Sequence, residues 1–490
     1  MLTFWIGSFV AEGLLFLISP LWAKRRLLAG IIAIYISCAM LVIWINLGFW
    51  LGLLLGVIAL FRIFNLSRII KGRMHTNYLR RVTRRTSLSL YLIHVLALIV
   101  LLPFIFIPER AVNFLMIIQL LAGVTAFVIT AKTINKLRFK QPDHYMSDAE
   151  LPTVTVAIPA RNETTDLEEC LRAVIANNYP KLEIIVLDDC SQGKTADIIR
   201  SFAHDGVRFV PGDAPAVRWL AKNQAYQKLY EESSGDLILF IGVDARLGQN
   251  TIRSMVNLLN ARKKSMLSVL PIRRQSSPAA ALIQPMRYWW ELALPRRLFN
   301  KPPVLSTCWM IGRSDLEKLG GFKAVSHAIL PEVYFAREMV KTDQYSFIRS
   351  TNDLDVSTVK SFHEQYETAI RTRYPQIRRR PEWALFLTFI NLLLLLSPFI
   401  FLALSFWLPQ INFWIALITC VILTATHVLI VHTTDPANSL LAAFTFPVDA
   451  FIEMLIGYVS MIQYEFYTVE WKGRNICIPV MHVVPKLPKL

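Results

Sequence analysis

Long apolar runs open and close this chain, and a stretch of short alternating runs lies between them. The first apolar run, Phe4 to Trp22, has the length of one membrane-crossing helix and stops at Lys24-Arg25-Arg26. That junction reads as a span edge and not as the cleavage site of a signal peptide. The run from Leu27 to Phe61 is too long for one helix and suits two, with a break near Asn46-Leu47-Gly48. Two more spans are expected at Leu88 to Ile107 and Val112 to Ala131, separated by Pro108-Glu109-Arg110. Apolar composition returns at Trp383, with spans at Ala384 to Leu408 and Ile411 to Val431. Leu440 to Ile462 is equally apolar but contains Pro447, Asp449 and Glu453, and is expected to be re-entrant or interfacial. In that setting Asp449 and Glu453, four apart on one helix face, are expected to look towards water. His427 and His432 are expected to be hydrogen-bonded structural residues.

From Pro152 the period shortens. β-branched runs at Thr153–Ile158, Glu183–Leu187, Val207–Val210 and Leu237–Ile241 predict strands. Helical patterns at Leu167–Asn177, Thr195–Ala203 and Ala221–Glu231 separate them. This β-α-β-α order predicts a mostly parallel sheet covered by helices, with ligands bound beyond the carboxyl ends of its strands. The expected organisation is a membrane region at 1–140, a soluble domain at 152–381, further membrane or re-entrant helices at 382–465 and a basic tail at 466–490.

Charge orients these pieces. The chain is 54% hydrophobic and 18% charged, yet carries a net charge of +17. The excess lies beside the apolar runs: at Lys24–Arg26, in the loop Arg62–Arg85 and from Lys132 to Lys140. The positive-inside rule therefore places those loops and the central domain on the cytoplasmic side of a cell membrane, in a multi-pass protein. Anionic lipid is the expected partner of the basic surface, and nucleic acid is not. The six cysteines are widely spaced and form no metal-ligand or disulfide framework.

The candidate chemistry sits at the strand ends. The first strand runs into Ile158-Pro159-Ala160-Arg161-Asn162-Glu163 and the second into Asp188-Asp189-Cys190-Ser191. Adjacent carboxylates there can accept from a nucleobase N–H or a ribose hydroxyl. The alternative is that Asp or Ser caps the following helix. The fourth strand ends in Gly242-Val243-Asp244, where a carboxylate could hold Mg²⁺ or Mn²⁺ against a diphosphate.

These segments, with Trp219-Leu220-Ala221-Lys222-Asn223-Gln224-Ala225 and Gly320-Gly321-Phe322, resemble family 2 glycosyltransferases in identity, order and spacing. The tail Glu470-Trp471-Lys472-Gly473-Arg474 resembles the ending of membrane members that glycosylate hopanoid, carotenoid or ceramide lipids. The resemblance implies a GT-A fold between the two membrane clusters. It also implies an inverting transfer from a nucleotide-sugar, UDP-linked for preference, to a membrane lipid or growing glycan acceptor. It puts Pro159, Arg161 and Glu163 in the nucleotide pocket, Asp188 and Asp189 at base and ribose, Lys222 near the diphosphate and Asp244 at a divalent cation. Glu332 of Pro331-Glu332 takes the place of the family's general base.

Three positions depart from the family pattern. Gly242 stands where its Asp-x-Asp has a first Asp, Gly193 replaces the last Asp of Asp-x-Ser-x-Asp, and the base is Glu for Asp. Gln376-Ile377-Arg378-Arg379-Arg380 has the Gln and Arg of the acceptor motif Gln-x-x-Arg-Trp without its Trp. The other reading is a basic cluster beside the headgroups. Between Gln284 and Pro303, aromatics interleave with arginines, Trp289 and Trp290 among them. This suits either an interfacial helix near the acceptor or packing on the domain. Two rival readings remain: a non-catalytic relative that binds nucleotide, lipid or a partner, and a polysaccharide synthase or export component.

Overall fold

A computed structural model of the chain describes residues 25–47, scattered positions within 56–67, and 109–477 apart from 143–144, 217–218, 275–278, 280–281, 283–284, 295–301, 378, 410 and 467. The expected spans at Phe4–Trp22 and Leu88–Ile107, most of the basic loop Arg62–Arg85, Gln284 and the end of the basic tail lie outside the described residues. The helix α1 (Arg25–Leu47) covers the first part of the run expected from Leu27, and α2 (Glu109–Leu137) carries the span expected from Val112.

The alternating middle of the chain folds as its pattern requires. Strands β1 (Val154–Ala160), β2 (Leu182–Asp188), β3 (Val207–Pro211) and β4 (Leu237–Ile241) are parallel; β1 and β4 are buried on both faces, hence their apolar runs, while β3 at the edge exposes Arg208 and Pro211. Helices α3 (Thr165–Ile175), α4 (Thr195–Ser201) and α5 (Ala221–Glu232) connect them. Beyond β4 the sheet becomes mixed. With β6 (Met266–Leu270), β8 (Cys308–Gly312) and β9 (Tyr345–Arg349) the order is β3-β2-β1-β4-β8-β6-β9, and β8 runs antiparallel to both neighbours. A smaller sheet pairs β5 (Ala245–Leu247), β10 (Val356–Thr358) and β7 (Ile272–Arg273) beside the end of β4. Helix α6 (Thr251–Arg262) lies with α3 on one face of the main sheet; α5, α8 (Arg313–Lys318) and α9 (Pro331–Lys341) lie on the other. This is the expected GT-A arrangement, flanked by apolar helices from both ends of the chain.

Among the described residues, four helical stretches are long and apolar enough to cross a bilayer: Val112–Leu137, Phe386–Leu404, Phe413–Thr434 and Pro436–Glu465. The second consists of α11 (Pro381–Ile390) and α12 (Ser397–Leu404), joined by a wider-wound turn at Asn391–Leu396. Pro398 removes a backbone donor there, and Gln119 of α2 reaches in, donating to the Leu393 carbonyl at 2.8 Å and the Ser397 hydroxyl at 2.7 Å. Helix α13 (Phe413–Thr434) packs between α2 and α14 (Ser439–Glu465).

Helix α14 narrows one expectation and corrects another. It is one continuous 27-residue helix through Pro447, not a re-entrant break. Asp449 and Glu453 do not face water: Asp449 is 1% exposed. Its Oδ2 lies 3.0 Å from His427 Nε2, and Glu453 accepts from Arg373 Nη2 at 2.8 Å. The reason is that the helix is turned inside out relative to a water-facing one. Its polar face is buried in protein, while Leu440, Phe444, Val448, Phe451, Leu455, Ile462 and Phe466 form one exposed apolar stripe.

Candidate active site

The loops after β1 and β2 are built as a unit. Asn162 and Cys190 both take the left-handed backbone conformation. Asn162 N–H donates to Ser191 Oγ at 2.9 Å, and its side-chain oxygen accepts from Gln192 N–H at 3.0 Å. Thr195 Oγ1 accepts from Glu163 N–H and donates to the Glu163 carbonyl, each at 2.9 Å. Pro159 lies past Ala157, the last β1 residue paired with β4, where a strand residue lacking an N–H is tolerated. Gly212 is required at the end of β3, since a Cβ there would sit 2.4 Å from the Asp188 carbonyl oxygen. The capping alternative for Asp188-Asp189-x-Ser is not realised: α4 starts at Thr195, capped by no side chain.

The adjacent carboxylates differ in environment. Asp188 is half-buried, and its Oδ1 accepts from Ser191 N–H at 3.3 Å. Asp189 is 4% exposed, and both its oxygens accept from Arg474 Nη1 at 2.7 Å. Arg474 lies on β12 (Arg474–Asn475), which with β11 (Glu470–Trp471) forms a hairpin after the last membrane helix. Lys472 at its tip donates to Glu163 Oε2 at 3.2 Å, and Arg161 Nε donates to the Lys472 carbonyl at 3.1 Å. Burial pushes the Asp189 and Glu163 carboxyls above their usual range, and Arg474 and Lys472 respectively oppose that rise.

A second group gathers across the sheet end. Asn223 Nδ2 donates to the carbonyls of Val325, Ser326 and Ala328, at 2.9, 3.1 and 2.7 Å, tying the start of α5 to the segment before α9. Gly320 and Gly321 both adopt positive φ, at 82° and 58°, and the following Phe322 N–H donates to Gln227. That stitching brings Lys222 and Glu332 into the same electrostatic neighbourhood. Glu332 opens α9 behind Pro331, is 2% exposed, and its buried Oε2 has no hydrogen-bond partner among the described residues. Burial raises its carboxyl above the usual range, with Lys222 opposing. Burial likewise pushes the Lys222 ammonium down to about 8, with Glu332 opposing.

Asp244 closes the group. Its Oδ2 accepts from Thr358 Oγ1 at 2.8 Å and lies 3.3 Å from Lys360 Nζ. Burial disfavours its charge, but Lys360 and Thr358 outweigh it and hold the carboxyl below its usual range. A Cβ on Gly242 would lie 2.4 Å from Asp244 Oδ1, so a side chain there would make that carboxylate swing away. Among the described residues no group of three His, Cys, Asp or Glu side chains gathers as a metal site. Asp244 therefore fits a hard cation only as a single carboxylate, with Oδ1 as the oxygen left to it and the remaining ligands supplied by substrate phosphates and water.

Residues 155–320 match the family described as Glycosyl transferase family 2. The match lies inside the central domain and takes in about a third of the chain. The chain is 31% identical over 185 residues to the probable glycosyltransferase YdaM of Bacillus subtilis (strain 168), covering 35% of this chain and 43% of that one. It is 28% identical over 121 residues to the 4,4'-diaponeurosporenoate glycosyltransferase of Staphylococcus aureus (strain bovine RF122 / ET3-1), covering 24% and 32%. The chain thus spans less than half the length of these relatives. Among solved structures, the mannosyltransferase PcManGT from Pyrobaculum calidifontis, in complex with GDP-Man and Mn²⁺, is 18% identical. Its TM-score is 0.41, covering 71% of this chain and 98% of that one.

The residues expected at the acceptor fall in two places in the fold. Trp289, on α7 (Pro285–Leu292), is buried in the helix bundle, donating to His427 Nδ1 at 3.1 Å and stacking on Phe446. The side chain of Trp290 lies outside the described residues. Gln376 is in the last turn of α10 (Phe362–Gln376), and Arg379 stacks over the Tyr464 ring. The arginine of this region that interacts electrostatically with Asp244 and Lys222 is Arg371, earlier on α10. Sequence reasoning passed over it, and over Lys360. The available signal was the pair Arg371 and Arg373 on a helix whose neighbours Ala369, Ile370 and Tyr374 are apolar.

Proposed function

We propose that the family 2 domain transfers a sugar, with inversion, from a nucleotide-sugar to a hydroxyl of a membrane lipid. One observation carries this reading: a buried carboxylate oxygen without a partner, Glu332 Oε2, shares the mouth of the sheet with Lys222, Asp244 and Lys360. Glu332 takes the proton of the acceptor hydroxyl while that oxygen attacks the anomeric carbon from the face opposite the leaving group. The bond from the anomeric carbon to phosphate oxygen breaks, and the electron pair leaves with the nucleoside diphosphate. Lys222, Lys360 and Arg371 offset the charge that develops there. Asp244 would contribute one ligand to Mg²⁺ or Mn²⁺, which when bound also neutralises diphosphate charge. Asp188, Arg161, Glu163 and Pro159 line the nucleotide end, with a UDP-sugar as the first donor to test.

The lipid acceptor rests on helix α14. Asp435, just before it, pairs with Arg273 of the domain at 3.7 Å, and Glu465 at its far end accepts from Tyr374 of the domain at 2.7 Å. A helix of 27 residues is roughly 40 Å long. One that crossed the bilayer could not keep both ends against the same soluble domain. We infer that α14 lies in the membrane interface beneath the domain, apolar stripe towards lipid, while α2, α11–α12 and α13 cross. That would hold Glu332 at headgroup level on the cytoplasmic face, where a lipid hydroxyl can reach it.

The test is transfer from radiolabelled UDP- and GDP-sugars to extracted lipids by protein in nanodiscs, with and without Mn²⁺. Labelled lipid is expected from wild type and its loss from Glu332→Gln. Equal behaviour of the two proteins would remove Glu332 from the mechanism.

A further inference from the structure

The hairpin Glu470–Asn475 belongs to no part of the transfer chemistry, yet it covers the loops after β1 and β2. Its root is fixed: Val469 and Cys477 are buried against Tyr374, Met461 and Tyr464, and Ile476 N–H donates to the Val469 carbonyl at 3.0 Å. Its tip turns through two left-handed residues, Lys472 and Gly473. From this base Arg474 meets both oxygens of Asp189, and Lys472 meets Glu163. Arg161 spans the gap, donating Nε to the hairpin and Nη1 to the Asp189 and Cys190 carbonyls. Trp471 lies under the Arg371 guanidinium, 5.7 Å from it, so the same hairpin borders the group around Asp244.

The geometry points to Arg474 and Lys472 as positioning residues of the donor site, and to the hairpin as the wall that closes its nucleotide end. This rests on the reading that the domain binds a nucleotide-sugar. Asp189 is then not a ligand of the nucleotide but the anchor of the wall, with its oxygens spent on Arg474. Asp188, half-buried and accepting only from one backbone N–H, is the carboxylate left for base or ribose. The wall holds Arg161 and Glu163 from the side opposite the strands, so the pocket requires residues at the far end of the chain.

The experiment is titration of full-length protein in nanodiscs with UDP and with GDP, each with Mn²⁺, alongside thermal melting without nucleotide. Arg474→Ala is expected to weaken the nucleotide that wild type binds by about ten- to a hundredfold, the loss of a charge-assisted hydrogen bond. Arg474→Lys should recover part of that loss, and Lys472→Ala should weaken binding less. In turnover, the donor KM should rise more than kcat falls. Wild-type affinity in Arg474→Ala would overturn the inference, and tighter binding would too, since it would make the hairpin an obstruction. Arg474→Lys binding no better than Arg474→Ala, with melting lowered equally in both, would reduce Arg474 to a structural role and overturn it as well. Failure of wild type itself to bind either nucleotide would overturn the donor reading, and the wall with it.

Discussion

The Oε2 atom of Glu332 carries the proposed proton transfer, and its neighbours set the pH at which it can act. A protonated carboxyl cannot accept a proton. Burial raises the Glu332 carboxyl, so transfer should rise with pH through a value above the usual carboxylate range. Lys222 is pushed down to about 8, so its charge, and its help to the leaving diphosphate, should fade above that pH. The expected profile of kcat/KM is a bell. In Lys222→Met the falling limb should disappear and the rising limb should move to higher pH, because the cation that opposes the Glu332 shift is gone. A profile with both limbs unmoved would exclude the pair. For Glu332→Gln, transfer should drop by about 10²- to 10⁴-fold, the range of a general base. At this scale the positions of Pro159, Arg161, Asp188, Lys222 and Asp244 at strand or helix ends were legible, where β-α alternation puts them, whereas Glu332 was reached only through the resemblance. Arg371 and Lys360 were not legible, because each comes from an element whose approach to Asp244 depends on the mixed half of the sheet.

Helix α14 decides how the domain meets lipid. Its length and composition are those of a spanning helix, and the tethers at its two ends to the domain argue otherwise. Spin labels placed singly at Phe444, Phe451, Leu455 and Ile462 should report one shallow depth in nanodiscs. A depth that is greatest at the centre and falls away at both ends would mean that the helix crosses. The buried pair Arg373–Glu453 joins α14 to α10. Glu453→Ala would leave a buried guanidinium without its carboxylate and should cost about 3–5 kcal/mol, measured as a lowered denaturation midpoint. At this level Gly242 leaves room for the Asp244 carboxylate folded back over it, and Lys360 pairs with that carboxylate at 3.3 Å.

For the whole molecule, the hairpin sets the side on which the chain's described end lies. Residues 470–475 touch the loops of the family 2 domain, so they share its side of the membrane. A single cysteine at Asn475, with the native cysteines replaced, should be labelled by a membrane-impermeant maleimide only where the domain is also accessible. Labelling from the opposite side would contradict the topology and the wall together. The sequence by itself determined the apolar runs, the β-α alternation and the order of the motifs. Each is a periodicity or a spacing, expressed within a few tens of residues. Tertiary structure alone decided that α14 turns its carboxylates inward, that Asp189 is spent on Arg474, and that Arg371 joins the site. Those outcomes depend on partners far away in the chain, 285 residues in the case of Asp189 and Arg474. An ion pair across that distance leaves no periodic trace; it exists only once the sheet and the bundle have brought its two charges together.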